Sequence, residues 1–434
     1  MTGLRIRFRG SVSTLAPAER SRLMDRVPAA DDIVRTTAEA IIDVVRREGD
    51  PALVALARDY DKVRLKSLEV PREAWREALQ ALEPSVRAAM ERAATNIRAV
   101  HSAMVPRGIE TSPEPGVTIG RRPDPLRRVG VYAPGGRAAY PSSVLMGVIP
   151  ARVAGVDEVI ICAPPAPNGL PAAVTLAAAE LSAADRVFAV GGAGAIAAMA
   201  YGTETIPRVD RIVGPGNAYV AQAKLLVANA VAIDAPAGPS ELLAIVDEDS
   251  NPARIAIELL AQAEHDPDAA VVLVAVGETI ADRVIAEVER LLPVQARRAI
   301  IEQALADRGA VLTASSTRDA VTFANEFAAE HLLLATRDAD ALLGEVRSAG
   351  TVFVGEASSV VFGDYMTGAN HVLPTGGLAR SYSGLSTLDF VRWTTYQRID
   401  RDAAARLAQD VATFADAEQL PAHAAAARGW RPSA

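Results

Sequence analysis

The period of the apolar positions changes along the chain, and each change marks an element. Over 29–48, Ile33, Ala38, Ile41, Ile42 and Val45 recur every three or four residues, which predicts an amphipathic helix. Asp31 or Asp32 can cap it and Gly49 can end it. Residues 72–101 read as a second long helix or a helix pair, with Pro71 near the start. Residues 1–30 read as charged and irregular, punctuated by Pro17 and Pro28.

From Arg128 onward short β-branched runs alternate with Ala-rich helical stretches. Strands are predicted at 128–134, 158–165, 186–192, 211–214 and 231–234, with helices at 142–155, 170–182, 193–201 and 218–229 between them. Ser142 or Ser143 is a candidate cap for the first of these helices. The alternation resumes after Gly238. Strands are predicted at 241–247, 269–276, 311–313, 332–336 and 351–354, and helices at 251–264, 279–291, 317–328 and 339–348. Asn251, followed by Pro252, reads as a helix cap. Strand–helix–strand spacing of this kind is what parallel crossovers need. The expected fold is α/β, with two doubly wound, three-layer Rossmann-like units. Helices precede them, and a helical tail follows from Asp389.

Composition narrows the function. The chain has 434 residues, half of them hydrophobic and 23% charged, which is an ordinary globular balance and excludes whole-chain disorder. No apolar run is long enough to predict a membrane span, and no apolar core follows the N-terminus as in a signal peptide, so a cytoplasmic protein is expected. Cys162 is the only cysteine, so no internal disulfide or thiolate zinc site can form. A net charge of −8 argues against broad phosphate-backbone binding, and 4% aromatics supply few stacking platforms for single strands. A nucleic-acid partner is therefore not expected. Five histidines, His101, His265, His331, His371 and His423, limit any metal site to imidazoles plus carboxylates or amides.

Several constellations carry candidate chemistry, each with a bland alternative. Gly191-Gly192-Ala193-Gly194 and Gly214-Pro215-Gly216-Asn217 lie between strands and helices, where free N–H groups can bind phosphate. Neither fits the dinucleotide fingerprint, so tight packing turns are the simpler reading. Gln262 and His265 are three apart at a helix end and share a face. The alternative for His265 is a favourable position at the negative end of the helix dipole. Adjacent Glu330 and His331 suit acid–base work, or form an ordinary helix–strand junction. Asp364 and His371 share a loop after a predicted strand, where such folds place ligands. Glu418 and His423 have no evident structural duty in an Ala-rich tail, whereas His101 reads as a polar helix position.

With these residues the chain resembles the histidinol dehydrogenase family over nearly all of 30–423. The resemblance rests on ordered, widely separated segments: 131–136 (VYAPGG), 214–219 (GPGNAY), 233–241 (IDAPAGPSE), 262–265 (QAEH), 329–332 (AEHL), 363–375 (GDYMTGANHVLPT) and 418–423 (EQLPAH). It implies one zinc per subunit held by Gln262, His265, Asp364 and His423, a set of nitrogen and oxygen donors that suits the ion. Glu330 and His331 match the family's catalytic pair. Ser240, Gln262, His265, His331, Asp364, His371, Glu418 and His423 match positions around the substrate. Tyr132, Gly194 and Asn217 match positions that contact NAD. The family often has Gln where this chain has Gly194, which removes one hydrogen-bonding handle.

The implied activity is the four-electron oxidation of L-histidinol to L-histidine through L-histidinal, the last two steps of histidine biosynthesis, using two NAD in sequence. His331 would be the base in both oxidations, and Glu330 would activate water to hydrate the aldehyde. The implied assembly is a homodimer whose exchanged tail brings Glu418 and His423 to the partner's site. The implied domains are an N-terminal segment 1–30, a discontinuous first α/β domain at 31–131 and 239–384, a second at 132–238, and the tail 385–434. Two rivals remain. A related zinc and NAD dehydrogenase of another small alcohol, such as a sulfonated diol, would change the substrate-end residues, and retention of Glu418 with His423 disfavours it. A non-enzymatic nucleotide- or metal-binding protein would have no need of Glu330-His331.

Overall fold

The computed structural model describes residues 4–26, 32–135 and 139–431. Pro28 and Asp31, and Gly136 of the VYAPGG segment, fall outside the described residues. Contacts divide the chain into two units, one of residues 1–104 with 127–390 and the other of 105–126 with 391–434.

The first unit holds two parallel sheets. One has the order Phe8–Ser11, Ala310–Ala314, Ala270–Val276, Glu241–Asp247, His331–Ala335, Thr351–Val354, with every pairing parallel. It grows outward in both directions from Glu241–Asp247, which is the doubly wound pattern. Its central strands are continuous apolar runs because both faces are covered. Leu242, Ala244 and Val246 meet Ile255, Leu259 and Val284 on one side. Leu243 and Ile245 meet Phe323 and Phe327 on the other. The second sheet has the order Arg186–Ala189, Glu158–Ala163, Arg128–Tyr132, Arg211–Val213, Ala232–Ile233, again all parallel. Helices Asp32–Glu48, Gly192–Tyr201 and Ala218–Val227 share a core on it with Ile160, Phe188 and Ile212.

The predicted alternation matches these strands closely, and the differences have physical causes. The N-terminal stretch expected to be irregular contains an edge strand, Phe8–Ser11, and a helix, Pro17–Met24. Only Phe8 of that strand is buried, so backbone pairing to Ala310–Ala314 holds it and no apolar period announces it. Helix Arg298–Arg308 also lies where no element was expected. Residues 72–101 are a pair, Arg72–Gln80 and Pro84–Ala103, separated where Glu83 accepts the N–H groups of Ser85 and Val86. Asn251 caps its helix through the N–H groups of Ala253 and Arg254. Ser142 and Ser143 do not cap theirs. The helix starts after Tyr140, and Ser143 is buried, facing His371 instead. His101 lies on helix Pro84–Ala103, as expected, but faces the interior. It is 1% exposed, and burial lowers its pKa to about 4.

The second unit is a three-stranded antiparallel sheet, in the order Val391–Ile399, Val117–Pro125, Ile109–Thr111, followed by helices Arg401–Ala417 and Pro421–Arg428. The tail, expected to be helices around a linker, therefore begins with a strand. Its sequence, VRWTTYQRI, is aromatic and β-branched, as a half-exposed strand requires. A Cβ at Gly120 would fall 2.2 Å from the Tyr396 ring, so glycine lets the two strands close. Asp400 caps the first helix on the N–H of Ala403 at 2.8 Å. Ala412, Ala415 and Ala424 pack the two helices together. Among the described residues no helix is long and apolar enough to cross a membrane.

Candidate active site

In the first unit the six-stranded sheet presents its chemistry at the amino ends of two neighbouring strands. Ser240 and Glu241 open Glu241–Asp247, and Glu330 and His331 open His331–Ala335. Parallel sheets usually place ligands at the carboxyl ends. Here the amino end is useful because N–H groups that lead into the strands point outward. The N–H of Glu241 donates to Glu330 Oε2 at 2.8 Å.

One hydrogen-bonded chain joins the predicted residues. The Ser240 hydroxyl donates to Glu330 Oε2 at 2.6 Å. Its one proton is then committed, so it accepts from Gln262 Nε2 at 2.7 Å. That polarity fixes the amide and leaves Gln262 Oε1, the metal-binding type of atom, on the other side. His331 Nδ1 lies 2.9 Å from the Glu241 carbonyl, which can only accept, so Nδ1 carries the proton. In the neutral ring His331 Nε2 is then the lone-pair nitrogen. It is buried without a hydrogen-bond partner, with Asp364 Oδ1 3.8 Å away. A buried, unpartnered imidazole nitrogen is what a base waiting for a substrate proton requires. Glu330 lies 3.4 Å from Nδ1 of the same ring.

His371 is fixed in the same way. The Asp364 carbonyl accepts from Nδ1 at 2.9 Å, which leaves Nε2 to accept the Ser143 hydroxyl at 3.3 Å. Asp364 sits in a short helix, Val360–Tyr365, rather than in the open loop expected. Burial sets the titration of the group. It pushes Glu330 up to about 7, against the opposing pull of His331, Ser240 and the Glu241 N–H. Burial also lowers the pKa of His265 and of His371, against the nearby Asp364 carboxylate. Neutral imidazoles are the metal-binding form.

The second sheet presents the predicted nucleotide residues at its carboxyl ends. Arg128–Tyr132 and Arg211–Val213 are adjacent, and the chain winds away from them in opposite directions, which makes a topological switch point. Tyr132 is buried, its hydroxyl accepts the N–H of Gly192 at 3.1 Å, and burial raises its pKa to about 12. Gly214 has φ +113°, and a Cβ there would fall 2.2 Å from the Tyr132 carbonyl oxygen. The two loops can approach only with glycine at that position. Asn217 is exposed and caps Ala218–Val227 on the N–H of Val220. At Gly194 a Cβ would meet Leu56 Cδ1 at 2.9 Å, so Leu56 takes the space where a longer side chain would begin. Cys162 is buried in this sheet, and burial pushes its thiol well above the ordinary range.

Among the described residues no three His, Cys, Asp or Glu side chains are placed to hold a metal together. The donor chemistry in the first unit nevertheless fits zinc: the free Gln262 amide oxygen, the His265 imidazole favoured neutral, and the Asp364 carboxylate within its electrostatic reach. His423 and Glu418 belong to the second unit and are not among the residues gathered here. Glu418 ends Arg401–Ala417 and His423 lies on Pro421–Arg428, both exposed. Two residues at the core of the site went unpredicted, Glu241 and Arg26. The available signal was Glu241 itself, an acid set directly before the apolar run Leu242–Val246.

Residues 24–430 match the sequence profile of the histidinol dehydrogenase family. Histidinol dehydrogenase of Natronomonas pharaonis is 51% identical over 415 residues, covering 95% of this chain and 97% of that protein. The enzyme of Methanosarcina barkeri is 44% identical over 426 residues, covering 97% and 98%. A crystal structure of histidinol dehydrogenase from Elizabethkingia anophelis superposes with a TM-score of 0.94 at 34% identity, covering 99% of each chain. An acid–base pair beside nitrogen and oxygen donors, on a chain that matches along nearly its whole length, leads to one conclusion: this protein is an oxidoreductase of the histidinol dehydrogenase family.

Proposed function

We propose that the chain converts L-histidinol to L-histidine through L-histidinal, with NAD and zinc, as the final two oxidations of histidine biosynthesis. The observation that carries this reading is the free, buried Nε2 of His331 beside a Glu330 held near neutrality. Two oxidations need a base twice, and hydrating the aldehyde between them needs a second one.

NAD, when bound, is the acceptor of two electrons at a time, and the reading assigns it to Tyr132, Gly194 and Asn217 at the switch point, in the 132–238 domain. Zinc, when bound by Gln262, His265, Asp364 and His423, supplies an anchoring Lewis acid for the substrate. The protein's own groups do the rest. His331 Nε2 takes the hydroxyl proton in the first oxidation. Glu330 takes a proton from water as it adds to the aldehyde carbon, and the protonated His331 returns its proton to the former carbonyl oxygen, which gives the hydrate and frees Nε2. His331 Nε2 then takes the hydrate proton in the second oxidation. Ser240 holds Glu330 toward the site. His371, Glu418 and His423 complete the substrate's surroundings, with the last two supplied by the partner of a homodimer. Glu418 pairs with the substrate ammonium.

The test is stoichiometric. Two NADH per L-histidinol consumed, with L-histidine as product, supports the reading. One NADH with free aldehyde, or NADH only from a different alcohol, overturns it.

A further inference from the structure

The acid–base pair is gripped from behind by a buried ion pair that joins three distant parts of the chain. Glu241 and Arg26 have side chains only 2% and 5% exposed. Arg26 Nε donates to Glu241 Oε1 at 2.8 Å, and an Nη2 proton reaches Oε2 at 3.3 Å. The same Nη2 donates to the Phe327 carbonyl at 2.6 Å, and the guanidinium lies 3.5 Å above the Phe327 ring centre. Phe327 ends the helix that leads into Glu330.

Every polar atom of Glu241 is committed. Oε2 accepts the backbone N–H of Glu330 at 3.3 Å, and Oε1 accepts that of Gly376 at 2.8 Å. Its own N–H donates to the Glu330 carboxylate, and its carbonyl fixes the proton on His331 Nδ1. A carboxylate buried this deeply requires a counter-charge, and a shorter apolar residue would fill the strand position more simply. Gripping the Glu330 N–H and the Phe327 carbonyl just ahead of the reacting groups, and the Gly376 N–H, is a use that such a residue could not serve.

We propose that Arg26 and Glu241 are positioning residues. Together they hold the backbone of Glu330 and His331 so that Nε2 of His331 and the carboxylate of Glu330 face the substrate in register. The proposal rests on the functional reading above. It predicts a fall in turnover without a loss of binding, and a larger fall in the aldehyde half-reaction, which uses both groups, than in the alcohol half-reaction, which uses one.

Substituting Glu241→Gln puts an amide N–H₂ against donors in either orientation, because both carboxylate oxygens accept. The double variant Arg26→Met with Glu241→Gln removes both charges and leaves none buried alone, so it separates positioning from folding. In the zinc-loaded enzyme with NAD, the double variant should lose about tenfold or more in kcat for L-histidinol, and more for L-histidinal. KM for both substrates and the zinc content should stay within about twofold, because the pair holds none of the proposed zinc ligands Gln262, His265, Asp364 and His423. A folded double variant with wild-type kcat, or with equal losses in both half-reactions, overturns the proposal. If the double variant does not fold, Arg26→Lys decides. It keeps the charge but has no planar fork to hold Glu241 and the Phe327 carbonyl together, so kcat should fall with KM unchanged. Wild-type kcat in Arg26→Lys overturns the proposal. Wild-type protein that forms no NADH from L-histidinol overturns the functional reading, and the positioning role with it.

Discussion

At the scale of single residues, Glu330 and His331 differ in the work assigned to them, and that difference is measurable. His331→Ala should slow both oxidations by roughly 10²-fold or more, since each needs the base. Glu330→Gln keeps the shape and loses the base, so histidinal oxidation should fall by a similar factor while alcohol oxidation falls far less. Separate assays with L-histidinol and L-histidinal read the two rates, and equal losses in Glu330→Gln would remove its assigned role. Burial of Glu330 also links stability to pH. Its pKa is raised from 4.5 to about 7 on folding, so its contribution is full below about 4.5 and is lost as pH rises through about 7. Glu330→Gln abolishes that dependence. Urea titrations across this window should show the variant gaining on wild type as pH rises, by about 3 kcal/mol at most. Parallel curves would mean that Glu330 does not titrate there.

At the scale of elements, much was legible and the remainder had no local signal. Strands such as Glu241–Asp247 and Thr351–Val354 are fully predicted because buried parallel strands are continuous β-branched and aliphatic runs. Phe8–Ser11 is held by backbone pairing and a single buried side chain, Phe8, and Val391–Ile399 carried a strand pattern that the expectation of a helical tail overrode. For the site, residue types and spacing offered Glu330, His331, Gln262 and His265 only as candidates beside bland alternatives, and the family resemblance gave them their expected roles. The path from Gln262 through Ser240 to Glu330 and the grip of Arg26 on Glu241 join residues up to 301 positions apart, as in the Arg26 to Phe327 bond, and no period records them. The Gly214 loop, proposed to meet NAD, shows the same pattern. Lys224 and Asp234, side chains 6% and 4% exposed, form a buried ion pair beneath it. Asp234 accepts the Gly214 N–H at 2.7 Å, and Lys224 donates to the Gly214 carbonyl at 3.0 Å. Lys224→Met leaves Asp234 buried and unpaired, so it should lower the unfolding free energy by about 3 kcal/mol and raise KM for NAD. Lys224→Met with Asp234→Asn should recover part of the stability. Denaturant midpoints at constant m-value test this, and an unchanged midpoint in the single variant would show that the pair does not brace the loop.

At the scale of the whole molecule, the proposed site needs residues from both units, since Gln262, His265 and Asp364 belong to one while Glu418 and His423 belong to the other. Under the proposal the second unit serves the partner subunit, and this has a consequence that point variants alone cannot produce. Homodimers of His265→Ala, and of His423→Ala, should each be inactive, because every site lacks a ligand. In a mixed dimer the two defects meet in one site and leave the other whole. That intact site takes Gln262, His265 and Asp364 from the His423→Ala chain and His423 from the His265→Ala chain. Activity should then return to nearly half that of wild type per dimer, with one zinc bound tightly instead of two. If each tail instead serves its own chain, both sites of the mixed dimer carry one defect and activity stays absent. Mixing the purified variants through mild denaturation, isolating the heterodimer by two different affinity tags, and measuring NADH formation with zinc content separates the outcomes. An isolated heterodimer without activity would exclude a site shared between subunits.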